Sequence, residues 1–413
     1  VALPLTNVDS VRAKLARQLG VSAIIVENFK DGLKNIASII LTESLIKSRS
    51  DLTNQLHVCG HDDTFLILQS SGTTGDPKFS ALTFKMAFDR FHRYQTYFNT
   101  SSKDIFWPAS RLDFVVAKQR VFHCLQAGAA ICLLSGRQID RDLIKFIDFC
   151  GVTLACGTPS HLAQILKASE VNLSLPKIRA FEVRSATVGE ALRSKFKYKI
   201  NPNLYVTYAT NEAEVVTIAS PDTQAKIEDS VGQPVIDMMV EVVDIKGNAV
   251  SNGKAGNIRI SGKGLIRHYL DNQIATVKSF KDGWFYPGDI GKFVNDTLVF
   301  LGRNDDMMIF DGMNIYPVEI ENALALHPAV EEVASLPLRH RAFQDVPIAA
   351  VVLKEPVRIR ELHEHCKEIL GIKSPRIIKV MAQFPTNAMG KVMKKEIRKL
   401  FHKSIAHSEL QDK

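Results

Sequence analysis

The strongest chemical signal in the sequence is the run Ser70-Ser71-Gly72-Thr73-Thr74-Gly75-Asp76-Pro77-Lys78, which directly follows the apolar stretch at 65–69. Two glycines let backbone N–H groups close on an anion. The Ser and Thr hydroxyls add further donors, and Lys78 adds charge or holds the loop in place. A loop of this kind suits a polyphosphate tail. The spacing is GxxGxxK, whereas a Walker A loop requires GxxxxGK[ST], so the P-loop NTPase reading fails. A Gly/Ser surface turn uses the same residue types, but it does not call for so many specified positions after a strand.

The surrounding elements must present that loop. Residues 65–69 read as a strand running into it, and residues 36–47 as a short helix before it. Downstream, strand-length apolar runs at 129–134, 152–156 and 180–183 alternate with amphipathic helical stretches at 140–150 and 160–169. That alternation argues for a mostly parallel α/β sheet. From about Val235, short β-branched strands at 239–243, 257–261 and 297–301 are separated by Gly-containing turns, which suits an antiparallel, barrel-like subdomain. After Gly302 the texture changes again: helices at 318–326 and 359–370, strands at 330–336 and 348–353. The expected fold class is therefore α/β. A large N-terminal domain (1–303) of layered α/β sheets carries the small barrel-like β subdomain, a hinge follows at 304–306, and a smaller, mobile α+β domain spans 307–413.

Composition narrows the partners. The 413 residues are 46% hydrophobic and 23% charged, which excludes a disordered, collagen-like or coiled-coil chain. The longest apolar stretches, such as 127–134, are far short of the roughly 20 residues that span a bilayer. Net charge is 52 − 44 = +8, a field that steers anionic small molecules or an acidic protein. No basic stripe or nucleic-acid motif accompanies it, so no nucleic-acid partner is expected. The six cysteines form no CxxC pair and no Cys/His metal spacing. Five sit in or beside apolar segments, as buried reduced thiols do, which points to a cytoplasmic location. The chain opens at Val1 without the charged and apolar regions of a secretory signal.

The loop SSGTTGDPK resembles the phosphate-binding signature of the adenylate-forming superfamily, which contains acyl- and aryl-CoA ligases, carrier-loading adenylation domains and firefly luciferase. The resemblance continues in order. Tyr208-Ala209-Thr210-Asn211-Glu212 is similar to the family's YGxTE, and Gly283-Trp284-Phe285-Tyr286-Pro287-Gly288-Asp289 to GWxxTGD. Gly302-Arg303-Asn304-Asp305-Asp306 is similar to the GRxDD hinge, and Phe384-Pro385 to Gly390-Lys391 to the C-terminal lysine motif. The resemblance implies that a carboxylic acid and ATP form an acyl-adenylate, whose acyl group then passes to the thiol of CoA or of a carrier protein's phosphopantetheine. Ser70, Ser71, Gly72, Thr73, Thr74, Gly75 and Lys78 would hold the β- and γ-phosphates, with Thr73 and Thr74 as side-chain donors. Glu212 would be the Mg²⁺ carboxylate, Tyr208 the adenine-stacking ring and Asn211 a further phosphate donor. Asp289 would take the ribose hydroxyls, since an ionised carboxylate is acceptor-only, and Arg303 would complete those contacts. Lys391 would be the mobile lysine of adenylation, with Lys391, Glu212 and Thr73 as the catalytic set. Asp305 would be the hinge and Gly312 would lie against the thiol tunnel. Lys394, Lys395, Arg398 and Lys399 read as a solvated basic helix face.

Departures are visible. Ala209, Asn211, Asn257 and Pro287 stand where the family usually has Gly, Thr, Glu and Thr, and Pro287 removes both a hydroxyl and an N–H beside the nucleotide. The adenine turn is matched only poorly, by Arg184-Ser185-Ala186-Thr187. The leader before the phosphate loop is short: either part of the first subdomain is missing or the branch is a shortened one. The acyl pocket is expected along 107–117, 185–187 and 208–212. There Asp113 reads either as an amine ligand or as a solvated acid, and Arg111 would favour an acidic or polar acyl tail. The hinge spacing looks most like that of aryl-CoA ligases such as the chlorobenzoate enzymes. Two alternatives remain at this point: an adenylation enzyme that loads an acidic acyl-carrier protein, and a nucleotide-binding homologue that no longer catalyses.

Overall fold

The computed structural model describes residues 23–26, 37–40, 59–70, 78–112, 114–134, 139–169, 174–338, 345–386 and 392–401. Ala23–Val26 (β1) and Ala37–Ile40 (β2) pair in parallel, so the helix expected from residue 36 is a strand over 37–40. Paired Ile residues favour the pleated surface over a helix turn because their branched side chains are stiff at χ1.

Thr64–Ser70 (β3) and Lys78–Thr83 (β4) form an antiparallel hairpin in which Ser70 faces Lys78. Phe84–Phe98 (α1) follows at once, with the Thr83 hydroxyl accepting from the Met86 N–H at 3.3 Å. Next come Ile105–Pro108 (β5), Val115–Gln126 (α2), Ala130–Ile131 (β6), Arg141–Phe149 (α3), Leu154–Gly157 (β7), Pro159–Ala168 (α4), Ala180–Val183 (β8), Glu190–Lys199 (α5) and Leu204–Thr210 (β9). The strands are parallel in the order β6-β5-β7-β8-β9, as the alternating pattern requires. One face is buried under α1 and α2, through Tyr94, Phe98 and Cys124. The other lies under α3, α4 and α5, through Ile144, Ile147, Leu162, Ile165 and Phe196.

The chain then turns antiparallel. Glu214–Ala219 (β10) pairs with β9 and with Ser230–Pro234 (β11). Met238–Val243 (β12), Gly256–Gly262 (β13), Phe280–Lys281 (β14), Trp284–Phe285 (β15), Asp289–Val294 (β16) and Thr297–Arg303 (β17) extend the same sheet to 13 strands among the described residues, with β12 branching off at β13. A 3-10 turn at Asn304–Asp306 leads to a small hairpin, Met308–Phe310 (β18) with Met313–Ile315 (β19). Beyond it, Val330–Leu338 (β20), Val346–Leu353 (β21) and Ile377–Val380 (β22) make a separate three-stranded sheet. Pro317–Ala325 (α8, following the short helices Pro221–Lys226, α6, and Gln273–Ser279, α7) and Ile359–Leu370 (α9) cover one face. Phe384, Ile397 and Phe401 cover the other. The six cysteines are free thiols. Among the described residues no helix is long and apolar enough to cross a membrane.

Candidate functional site

Ligands of open α/β sheets gather beyond the carboxyl ends of the parallel strands. Here that edge carries Glu212, at the tip of the tight turn from β9 to β10. Two arginines of α1, three residues apart and so on one helix face, fix the turn. Arg90 donates from Nη2 to the Glu212 carbonyl at 2.6 Å, from Nε to the Gly264 carbonyl at 2.9 Å and from Nη1 to Gln119 Oε1 at 3.0 Å. Arg93 donates to the carbonyls of Ala213 and Lys263, each at 2.7 Å. Burial pushes the Arg90 guanidinium down to about 9, which leaves it charged at neutral pH. Asn211 Nδ2 donates to the Gln69 carbonyl at 3.1 Å, tying the turn to the last residues of β3. The start of the phosphate loop and the Glu212 turn are therefore neighbours.

The Glu212 carboxylate is buried and accepts a hydrogen bond at Oε1 from the Tyr269 hydroxyl at 2.8 Å. Lys78 Nζ stands 4.8 Å from the centroid of the same Tyr269 ring. Burial, and then the Glu212 charge, raise the Tyr269 hydroxyl well above the usual tyrosine range, so it stays a donor.

A second group lies alongside. Asp289 opens β16 directly opposite Arg303 of β17. Asp289 Oδ2 accepts from the Tyr208 hydroxyl at 2.6 Å, and Arg303 Nε stands 3.3 Å from Oδ1. Arg303 Nη2 also donates to the Pro287 carbonyl at 3.1 Å. Tyr208 is buried, its ring centroid 5.8 Å from that of Phe300, and burial followed by Asp289 raises its hydroxyl strongly. The two groups are electrostatically linked: Glu212 adds to the Tyr208 shift, and Arg303 opposes the Tyr269 shift.

The structure thus brings together Lys78, Asn211 and Glu212 on one side and Tyr208, Asp289 and Arg303 on the other. Ser71, Gly72, Thr73, Thr74, Gly75, Asp113 and Lys391, and the Ser70 side chain, lie outside the described residues. Gly312 occupies the β18–β19 hairpin turn after Asp311. Both have positive φ (50° and 75°), and nothing lies within 4 Å of a Cβ built on Gly312. The turn alone accounts for the glycine.

Two stretches behave differently from the sequence reading. Arg184, assigned to the adenine turn, is buried in an ion network instead. Its Nη1 donates to Tyr94 Oη at 2.7 Å and to Glu214 Oε1 at 3.1 Å, and stands 3.3 Å from Glu182 Oε1. Glu182 also accepts from Arg120 Nε at 2.8 Å and Thr207 Oγ1 at 2.9 Å. The exposed part of that turn begins at Ser185, whose φ of 78° is unusual for a non-glycine residue. Trp107, placed along the acyl pocket, is 2% exposed and edge-on to Phe181 in the core. Tyr269, Arg90 and Arg93 were missed by the sequence reading. The i, i+3 spacing of two arginines on the otherwise apolar face of α1 was the available signal.

Among the described residues no three His, Cys, Asp or Glu side chains cluster in a way that could hold a metal. The donor set at Glu212, a single carboxylate beside the neck of a phosphate-type loop, suits a Mg²⁺ ion, which takes one or two carboxylates and fills its octahedron with phosphate and water oxygens.

The family model of AMP-binding enzymes matches residues 7–270, and that of the AMP-binding enzyme C-terminal domain matches residues 319–391. The 2-succinylbenzoate–CoA ligase of Bacillus licheniformis is 28% identical over 338 residues, covering 81% of this chain and 70% of its own length. The human mitochondrial acyl-coenzyme A synthetase ACSM3 is 26% identical, covering 96% and 69%. Among solved structures, the o-succinylbenzoate CoA synthetase of Bacillus subtilis with its acyl-adenylate intermediate superposes with a TM-score of 0.84 at 24% identity, covering 96% of this chain and 82% of that one. ATP-bound MatB from Rhodopseudomonas palustris gives 0.86 at 22% identity, covering 97% and 83%.

Proposed function

This chain belongs to the family of AMP-binding enzymes, and from that premise we propose how its residues divide the work of an ATP-dependent acyl-CoA ligase. In the first half-reaction a carboxylate oxygen attacks the α-phosphorus of ATP, pyrophosphate leaves, and an acyl-adenylate forms. In the second, a thiol sulfur attacks the acyl carbonyl, its proton is lost and AMP leaves. Both steps depend on positioning and on neutralising negative charge.

The observation that carries this reading is the adjacency of two groups, each a buried carboxylate steadied by a tyrosine hydroxyl and accompanied by a cation. Asp289, steadied by Tyr208 and Arg303, is an acceptor suited to ribose hydroxyls. Lys78 and Glu212, joined through Tyr269, mark the triphosphate end. Glu212 would hold Mg²⁺, which when bound shields the phosphate oxygens. Lys391 would neutralise the α-phosphate during adenylation. Residues 1–303 would form the nucleotide-binding body and 307–413 the lid, with Asp305 in the exposed 3-10 turn absorbing the rotation between half-reactions.

The acyl substrate is a small carboxylic acid and the acceptor is CoA. The names of the succinylbenzoate ligases support an aryl acid. A carrier protein as acceptor is the second reading, favoured by the chain's net charge of +8. ATP–pyrophosphate exchange across a panel of aryl and alkyl acids tests the proposal. Exchange with at least one acid is expected; none with any acid would leave a nucleotide-binding protein. CoA against a phosphopantetheinylated carrier then names the acceptor.

A further inference from the structure

Tyr269 is 5% exposed and lies beyond β13, far in sequence from both Lys78 and Glu212. Its ring is packed for structural reasons that need no hydroxyl: the Phe280 ring lies 5.4 Å away and is itself stacked on Phe285 at 5.0 Å. Its backbone is fixed separately, by a 3.0 Å hydrogen bond from its N–H to Thr276 Oγ1 and by the α7 turn behind that. A phenylalanine would satisfy all of this. What the tyrosine adds is a hydroxyl, which donates to Glu212 Oε1 at 2.8 Å and takes a hydrogen bond from the buried Ser279 side chain. Among the described residues no other side chain hydrogen-bonds that carboxylate. The Glu212 backbone is immobilised independently by Arg90 and by the Ile266 N–H, 2.9 Å from its carbonyl. With its main chain clamped, the remaining freedom of Glu212 is side-chain rotation, and the Tyr269 hydroxyl removes it. The face of the same ring lies 4.8 Å from Lys78 Nζ, the geometry of a cation–π contact.

We propose that Tyr269 is a positioning residue for the triphosphate end of the site: its hydroxyl fixes the Glu212 carboxylate for Mg²⁺ while its ring seats the Lys78 ammonium at the neck of the phosphate loop. This rests on the reading of Glu212 as the Mg²⁺ carboxylate. One side chain thus sets the spacing between the cation-binding carboxylate and the phosphate-binding ammonium. Tyr269 acts through those two groups and touches no reacting atom.

The two functions separate by substitution. Tyr269→Phe keeps the ring and removes the donor, so Lys78 stays seated and Glu212 is released. Tyr269→Leu removes both. Calorimetric titration of the full chain with ATP, with and without Mg²⁺, reads this without depending on turnover. Wild type should bind ATP more tightly with Mg²⁺. Tyr269→Phe should lose that Mg²⁺-dependent gain by about tenfold or more while keeping its metal-free ATP affinity. Tyr269→Leu should lose metal-free affinity as well. In exchange assays the Mg²⁺ concentration for half-maximal rate should rise by a similar factor in Tyr269→Phe. An unaltered Mg²⁺ dependence in Tyr269→Phe overturns the proposal, as does a wild type whose ATP binding ignores Mg²⁺. If Tyr269→Leu does not fold, Tyr269→Phe alone decides. A wild type with Mg²⁺-dependent binding but no exchange with any acid would refute the ligase reading and leave this inference standing.

Discussion

The Tyr208 hydroxyl donates to Asp289 at 2.6 Å across 81 residues of sequence, joining β9, the last parallel strand, to the first residue of β16. Both groups are buried, so the hydrogen bond is made away from competing water, and a hydrogen bond to a charged group is worth about 1.5–3 kcal/mol. Tyr208→Phe should keep the ring's packing on Phe300 and deprive Asp289 of this donor. The expected result is a KM for ATP raised by about tenfold or more, with kcat changed less. Steady-state kinetics at saturating acid check it; an unchanged KM would show that the bond serves only the core.

Lys391→Ala separates the half-reactions. On the proposed division of roles, Lys391 would stand against the α-phosphate during adenylation, whereas thiol attack on a preformed acyl-adenylate would not need it. The variant should lose pyrophosphate exchange by about 10²-fold or more while still converting supplied acyl-adenylate and CoA into thioester. Equal loss in both assays would remove the lysine from its assigned role.

The Glu182 network makes a different kind of prediction. Arg184 and Arg120 are each nearly inaccessible and share this one carboxylate, with Glu214 as the other acid in contact with Arg184. Removing one member of a buried ion group strands the rest, at a cost of about 3–5 kcal/mol. Glu182→Ala should therefore lower the unfolding free energy by that order, measured by urea denaturation, and the loss should exceed that of Arg259→Ala, whose partner Glu241 is on the surface.

Much of this architecture can be read from the chain because its signals are local. The alternation of apolar runs with amphipathic stretches places β7, β8, α3 and α4 to within a few residues. The proposed nucleotide groups stand out for the same reason: Glu212, Asp289 and Arg303 each sit in a short contiguous pattern. What escapes are contacts made at long range. Tyr269 reaches Glu212 across 57 residues, and Arg90 reaches Gly264 across 174; nothing in its flanking residues distinguishes Tyr269 from a packing position, and the i, i+3 spacing of Arg90 and Arg93 does not say which carbonyls they hold. Trp107 and Arg184 err in the opposite direction, because position relative to a motif does not fix which face of a strand a side chain takes. Residues 37–40 err because a stretch of four residues is too short to carry a period that separates helix from strand.

Burial of histidines makes the chain acid-sensitive: it lowers His363, and it moves two others far. His123 is held at about 4 by burial and then by the Arg120 charge, and its Nε2 lies 3.1 Å from Thr100 Oγ1. His161 is held at about 4 by burial, and its Nδ1 accepts the Thr158 N–H at 3.1 Å within the capping box of α4. In the unfolded chain both rings titrate near 6.5. Between these values the unfolded chain binds more protons than the folded one, so stability is complete above about 6.5, falls as pH drops toward about 4 and levels off below. A ring moved from 6.5 to about 4 carries on the order of 3 kcal/mol. Asp104 behaves otherwise. Burial raises it, but the Arg179 and Thr153 hydrogen bonds and the Ser101 N–H outweigh that and hold it at about 2, so its contribution is lost only between its ordinary 3.8 and that value. Urea midpoints measured from pH 7.5 to 4.5 should therefore fall steadily. In the double variant His123→Gln, His161→Gln, which cannot titrate in this range, the curve should flatten over the same window; a slope equal to wild type would place the acid sensitivity elsewhere.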